Sequence, residues 1–118
     1  MTKEASYKKL IAWQKADELA YQIYLITRDF PREETYSITS QLRRAALSIP
    51  TNLVEGCARH GKKELKQFVN IALGSQAEVE YLLGFSLKLG YLTKEFHEKL
   101  ETLRADVGSL LWQFHQSI

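Results

Sequence analysis

Cysteine is almost missing from this chain. Cys57 stands alone, so no internal disulfide can form, and a single thiol fits a reducing compartment. Long apolar runs are missing as well. The longest stretches without Asp, Glu, Lys or Arg, residues 67–77 and 107–118, fall well short of the about 20 residues that a membrane helix needs. The opening MTKEASYKKLIAWQKADELA mixes charge into every turn and holds no apolar core of a secretory signal. A soluble, cytoplasmic protein with no membrane partner is the expectation. Sustained strand-like alternation is absent, and so are repeats, linkers and low-complexity tracts.

What remains has the balance of one ordinary globular domain: 118 residues, 45% hydrophobic and 25% charged. A chain of this length buries roughly two thirds of its unfolded surface, enough to fold without disulfide or metal. The net charge is only +2, but it is unevenly placed. Residues 43–66 hold Arg43, Arg44, Arg59, Lys62, Lys63 and Lys66 against Glu55 and Glu64, whereas from Glu78 onward six carboxylates face four cations. Such asymmetry points toward an anionic partner.

Four segments carry helical periodicity. The first covers about residues 7–28, with Ala12, Ala16, Leu19, Ile23 and Ile26 on one face, and Phe30-Pro31 ends it. The second starts between Pro31 and Ser37, where Glu33 and Glu34 suit a positive helix start, and runs to about Arg59. The third covers 62–89, with Gly90 as its left-handed stop. Thr93 is the N-cap of the fourth, in which Phe96, Leu100, Leu103, Val107, Leu110 and Phe114 recur at alternating spacings of four and three. Short connections between long helices predict an all-α, antiparallel up-down-up-down four-helix bundle. The third helix has apolar residues on two sides. Leu65, Phe68, Val69, Ala72, Val79 and Leu83 form one face, while Gly74, Tyr81 and Phe85 fall opposite. Since every helix of such a bundle has an outward side, Gly74, Tyr81 and Phe85 are assigned to contact with another subunit.

The stretch QLRRAALSIPTNLVEG, residues 41–56, looks helical yet contains a proline and several polar side chains. On a helical wheel, Ile38, Leu42, Ala45, Ala46, Ile49, Leu53 and Gly56 share one face, the small residues allowing a neighbour to approach closely. Beside it runs a polar stripe: Gln41, Arg44, Ser48, Asn52, Glu55 and Arg59. Pro50 lies outside that stripe and removes one N–H, so a kink is expected there, with a break into two helices as the alternative. The stripe is read first as half-buried polar groups that satisfy one another or neighbouring helices and subunits. Its second reading is phosphate binding, for which Arg43, Arg59, Lys62, Lys63 and Lys66 are the candidates.

These residues resemble a known family. The order Phe30-Pro31-x-x-Glu34, QLRRAALSIPTNLVEG, Arg59, then FVNIALGSQAEVE is similar to the 23S rRNA intervening-sequence protein family, over residues 7–92. One departure is Gly61, where that family usually has a serine before the third helix; glycine caps almost as well. The resemblance implies a four-helix bundle, often a homopentamer, sometimes encoded inside ribosomal RNA genes. A related branch serves as the accessory protein of diversity-generating retroelements, where a basic oligomer binds nucleic acid and a reverse transcriptase. It implies no catalytic reaction.

GCARHGKK matches a phosphate-loop spacing, but Lys63 stands where magnesium needs Ser or Thr, and no strand precedes it. None of His60, His97 and His115 has a Glu three residues before it or a histidine partner four residues away, so no dimetal or zinc helix is formed. Glu78 and Glu80, two apart, do not share a helix face; Glu78 is assigned to pair with an arginine across the bundle or interface. Cys57 lacks a visible base, and Trp13 and Trp112 are assigned to core or interface packing rather than base stacking. The chain is therefore expected to be non-enzymatic and cofactor-free: an oligomer that binds RNA, or alternatively a scaffold for another protein.

Overall fold

The computed structural model describes residues 6–118. Residues 1–5, part of the stretch read above as carrying no secretory signal, lie outside the described residues. The chain forms four long helices: α1 (Ile11–Ile26), α2 (Ile38–Cys57), α3 (Lys62–Lys88) and α4 (Lys94–Ser117). Short 3-10 turns occupy Ser6–Lys9, Thr27–Asp29 and Arg32–Glu34. No strand occurs among the described residues. Helix α1 packs on α2 and α4, and α3 packs on the same two, so the helices close around a single core with α2–α3 as the largest interface. The result is an all-α four-helix bundle of 46 × 26 × 20 Å. Among the described residues no helix is long and apolar enough to cross a membrane.

The ends of the helices follow local chemistry. Leu10 is extended (φ −76°, ψ 123°), which separates the first 3-10 turn from α1 and makes that helix shorter than its periodicity predicts. Helix α2 starts at Ile38, one residue past the predicted window, because Arg32–Glu34 forms its own turn and Ser37 keeps a non-helical backbone. Gly90 ends α3 at φ 82°. The Tyr91 and Gly90 amides donate to the Ser86 and Leu87 carbonyls at 2.9 Å each, the paired closure that a left-handed glycine permits. Thr93 Oγ1 then accepts from the Phe96 amide at 3.1 Å and caps α4.

The predicted faces meet in the core. All seven apolar-face residues of α2, from Ile38 to Gly56, are buried, together with Ala12, Ala16, Leu19 and Ile23 of α1 and Val69, Ala72, Val79 and Leu83 of α3. Helix α4 departs in part. Leu100 and Val107 are buried, Leu103, Leu110 and Phe114 are half-buried, and Leu111, outside the predicted set, is fully enclosed. Phe96 remains 48% exposed because it lies in the first turn, over a groove between α1 and α4 rather than under a neighbour.

Helix α2 passes through Pro50 without a break. Just beyond it, Thr51 Oγ1 donates to the Leu47 carbonyl at 2.8 Å, and Asn52 Nδ2 to the Ser48 carbonyl at 2.7 Å. Gly56 brings α2 close to α3. A Cβ at that position would stand 2.9 Å from Leu65 Cδ1 and 3.0 Å from Phe68 Cβ. With Ser48 opposite Ser75 and Gly56 opposite Leu65, residue numbers rise on α2 as they fall on α3. The same holds for α3 and α4, where Lys66 meets Ile118 and Gln76 meets Arg104.

Candidate nucleic-acid interface

The turn between α2 and α3 gathers most of the predicted cations. Arg59, Lys62 and Lys63 are exposed and Lys66 is half-buried. Arg59 lies over the Phe68 ring at 5.1 Å, which holds its guanidinium against α3. Lys66 Nζ donates to the Ile118 carbonyl at 3.4 Å. Lys62 and Lys63 open α3, and a positive helix start disfavours cations there. Glu64 is the one acidic residue in that turn, and none of the four cations has an Asp or Glu carboxylate within 4.0 Å among the described residues. Four positive charges therefore stand at one end of the bundle with little neutralisation by Asp or Glu. Counting back along α1 from the Thr27–Arg43 contact places Lys8 and Lys9 beside the C-terminal half of α2, on which their turn packs. Sequence reasoning passed over this pair, because a short turn in a mixed-charge segment has no spacing signal.

Arg43 is held elsewhere. Its Nε donates to Thr27 Oγ1 at 2.8 Å, its Nη2 to the Tyr24 carbonyl at 3.4 Å, and its guanidinium lies 4.8 Å from the Tyr24 ring centre. It stands fourteen residues before Cys57, the last residue of α2 and two short of Arg59, which at 1.5 Å per residue is about 21 Å. The structure thus brings together four of the five predicted cations and places the fifth beside the end of α1.

The polar stripe of α2 turns toward α3. Ser48 Oγ and Ser75 Oγ are 2.9 Å apart, and Asn52 Nδ2 reaches Ser48 Oγ at 2.9 Å. Gln41, Arg44 and Ser48 then line a cleft of about 400 Å³ with Ser75 and Glu78. Arg44 and Glu78 share this cleft without forming an ion pair; Glu55 is exposed farther along. The carboxylate that does cross the bundle is Glu80, 3.3 Å from Arg104 of α4. Arg104 also binds Glu101, and its Nη1 donates to Gln76 Oε1 at 2.8 Å. The Glu101 hydrogen bond is the largest cause that raises the arginine pKa above its ordinary value, offsetting its desolvation.

On the outward side of α3, Gly74, Tyr81 and Phe85 are all exposed, with Tyr81 67% accessible and its ring stacked 6.1 Å from that of Phe85. Ile71, also exposed, extends the stripe, and Ile71, Gly74, Glu78, Tyr81 and Phe85 follow the three-four spacing of a helix-pairing seam. Trp112 lies outside the core, 56% exposed and stacked on His115, whereas Trp13 is half-buried against the core.

A family model described as "23S rRNA-intervening sequence protein" matches residues 8–113. The chain belongs to that family. The match runs through α4, beyond the residues 7–92 on which the resemblance rested. A crystal structure of a protein of unknown function from the S23 ribosomal protein family of Bacteroides thetaiotaomicron is similar in fold, with a TM-score of 0.83. It is 24% identical, and the alignment covers 89% of this chain and 98% of that one. No curated protein matches in sequence. Neither description names a reaction.

One motif that carries the resemblance to the 23S rRNA-intervening sequence protein family is tied to the turn before α4. Tyr91 donates its hydroxyl to Glu34 Oε2 at 2.6 Å, and its ring lies 5.4 Å from that of Phe30. Ser37 donates to the other Glu34 oxygen. These bonds, Ser37 first, hold the Glu34 carboxyl below its ordinary 4.5, while the bond to Glu34 raises the Tyr91 phenol above 10.0. Phe30-Pro31-x-x-Glu34 is therefore a latch between the α1–α2 connection and the turn into α4.

Proposed function

We propose that the chain is a non-enzymatic, self-associating bundle that binds nucleic acid, RNA in the first place, through the end formed by Arg59, Lys62, Lys63 and Lys66. The observation that carries this reading is the pair Lys62 and Lys63. They are exposed at the helix end that disfavours them and have no carboxylate within ion-pair distance among the described residues. A phosphate backbone supplies the missing counter-charge, and repeating the end around an oligomer multiplies the contacts without a strong patch on each copy. Such contacts position a strand without reading its sequence.

The test is anisotropy with single-stranded RNA across a salt series. Affinity falls steeply with salt, and Lys62→Glu, Lys63→Glu and Lys66→Glu together abolish binding while the native mass is unchanged. Binding that is absent at low salt, or insensitive to salt, removes the reading. Second, the exposed Tyr81–Phe85 stripe supports the alternative of an oligomeric scaffold for another protein, a reverse transcriptase among the candidates. Under that alternative the lysine variants keep their partner, and their charge serves solubility alone.

A further inference from the structure

At the opposite end of α2 from the lysines, the α1–α2 connection borders a half-open cavity of about 260 Å³. Three arginines line it, Arg28, Arg32 and Arg43, together with Thr35 and Thr39, and no carboxylate does. Arg28 and Arg32 have neither an ion pair nor a side-chain hydrogen bond among the described residues. Arg43 is fixed through Nε and Nη2, as described, and its Nη1 has no protein partner. Of the neighbouring acids, Glu34 is held by Ser37 and Tyr91, Asp29 lines the groove toward α4, and the exposed Glu33 neither lines the cavity nor forms an ion pair.

Thr39 is the second, independent sign. Its residue is 6% exposed, yet its hydroxyl has no hydrogen-bond partner. The other buried hydroxyls behave differently: Thr27 donates to the Ile23 carbonyl at 2.7 Å and Ser86 to the Leu82 carbonyl at 2.8 Å. A buried hydroxyl left unpaired is costly and uncommon, and it is satisfied when a ligand oxygen arrives. Planar guanidinium groups with a hydroxyl donor beside them suit an oxyanion carrying several acceptor oxygens.

We propose that Arg28, Arg32, Arg43 and the Thr39 hydroxyl form a binding site for a phosphate group, separate from the lysine-rich end. The ligand is either free phosphate, including that of a small phosphorylated molecule, or one phosphodiester of a nucleic acid. The inference stands apart from the proposed function, because it rests on a different cavity and different residues.

Amide chemical shifts of the ¹⁵N-labelled chain, titrated with inorganic phosphate at constant ionic strength in chloride, provide the test. Saturable shifts confined to residues 27–43 are expected. Arg32→Gln and Thr39→Val each weaken phosphate binding about tenfold, the scale of one hydrogen bond to a charged group, while Lys62→Gln leaves it unchanged. Thr39→Val also keeps or raises Tm, since it replaces an unpaired hydroxyl with a methyl, and its spectrum reports that the fold is intact. Shifts that do not saturate at tens of millimolar phosphate, or an affinity in both variants equal to that of the parent chain, overturn the site. The double variant then separates the sources. If RNA affinity drops and the salt slope falls by about one, the ligand is a phosphodiester; if RNA binding is unaltered while phosphate affinity falls, it is the free group.

Discussion

Two glycines separate backbone strain from space. Gly90 has open surroundings but a φ of 82°, so any side chain there is strained; Gly90→Ala is expected to lower stability by about 1–2 kcal/mol in a urea melt. Gly61 has an extended φ of −171° and no neighbour within 4 Å; Gly61→Ser should add a few tenths of a kcal/mol by capping α3. The sequence announces both positions, since a stop or a cap depends on residues a few places away. It is silent about the Glu34–Tyr91 bond, whose partners lie 57 residues apart. That bond carries a pH signature. Because the folded Glu34 pKa is lowered, its contribution is complete above 4.5 and is lost as pH falls through the folded value. Tyr91→Phe keeps the ring on Phe30 but removes one of these bonds, so its Tm should fall less than that of the parent chain as pH drops from 4.5 downward. Parallel pH curves would count against the latch.

At the scale of the helices, period and composition are enough to place four segments and seven of the nine buried residues of α2, Thr39 and Pro50 being the other two. They missed where packing rather than period decides: Leu111 is enclosed and Phe96 is open because of what faces them. The polar stripe was visible as a stripe, but its partner Ser75 lies on another helix, and Arg104 with its ring of Gln76, Glu80 and Glu101 was passed over for the same reason. The α2–α3 pair depends on Gly56. An alanine there gains about 1 kcal/mol of helix propensity but must displace the Phe68 Cβ at 3.0 Å, an overpacking cost of about 1–3 kcal/mol. Gly56→Ala is therefore expected to be net destabilising by about 1 kcal/mol, and Gly56→Val by more, both measurable by chemical denaturation.

For the whole molecule, the outward stripe of α3 is where copies are proposed to dock. Tyr81→Glu with Phe85→Glu should reduce the native mass by light scattering while the helical circular dichroism is preserved. If docking and RNA binding are linked by avidity, the same variant loses much of its RNA affinity although no cation is touched. Tyr81 follows Lys63 by eighteen residues on one continuous helix, about 27 Å at helical rise. In a ring of three or more copies docked through the aromatic half, with α3 along the ring axis, every lysine-bearing tip projects toward the same pole. Such a particle is a crown with one charged rim, and a strand would be drawn around its circumference rather than threaded through its middle.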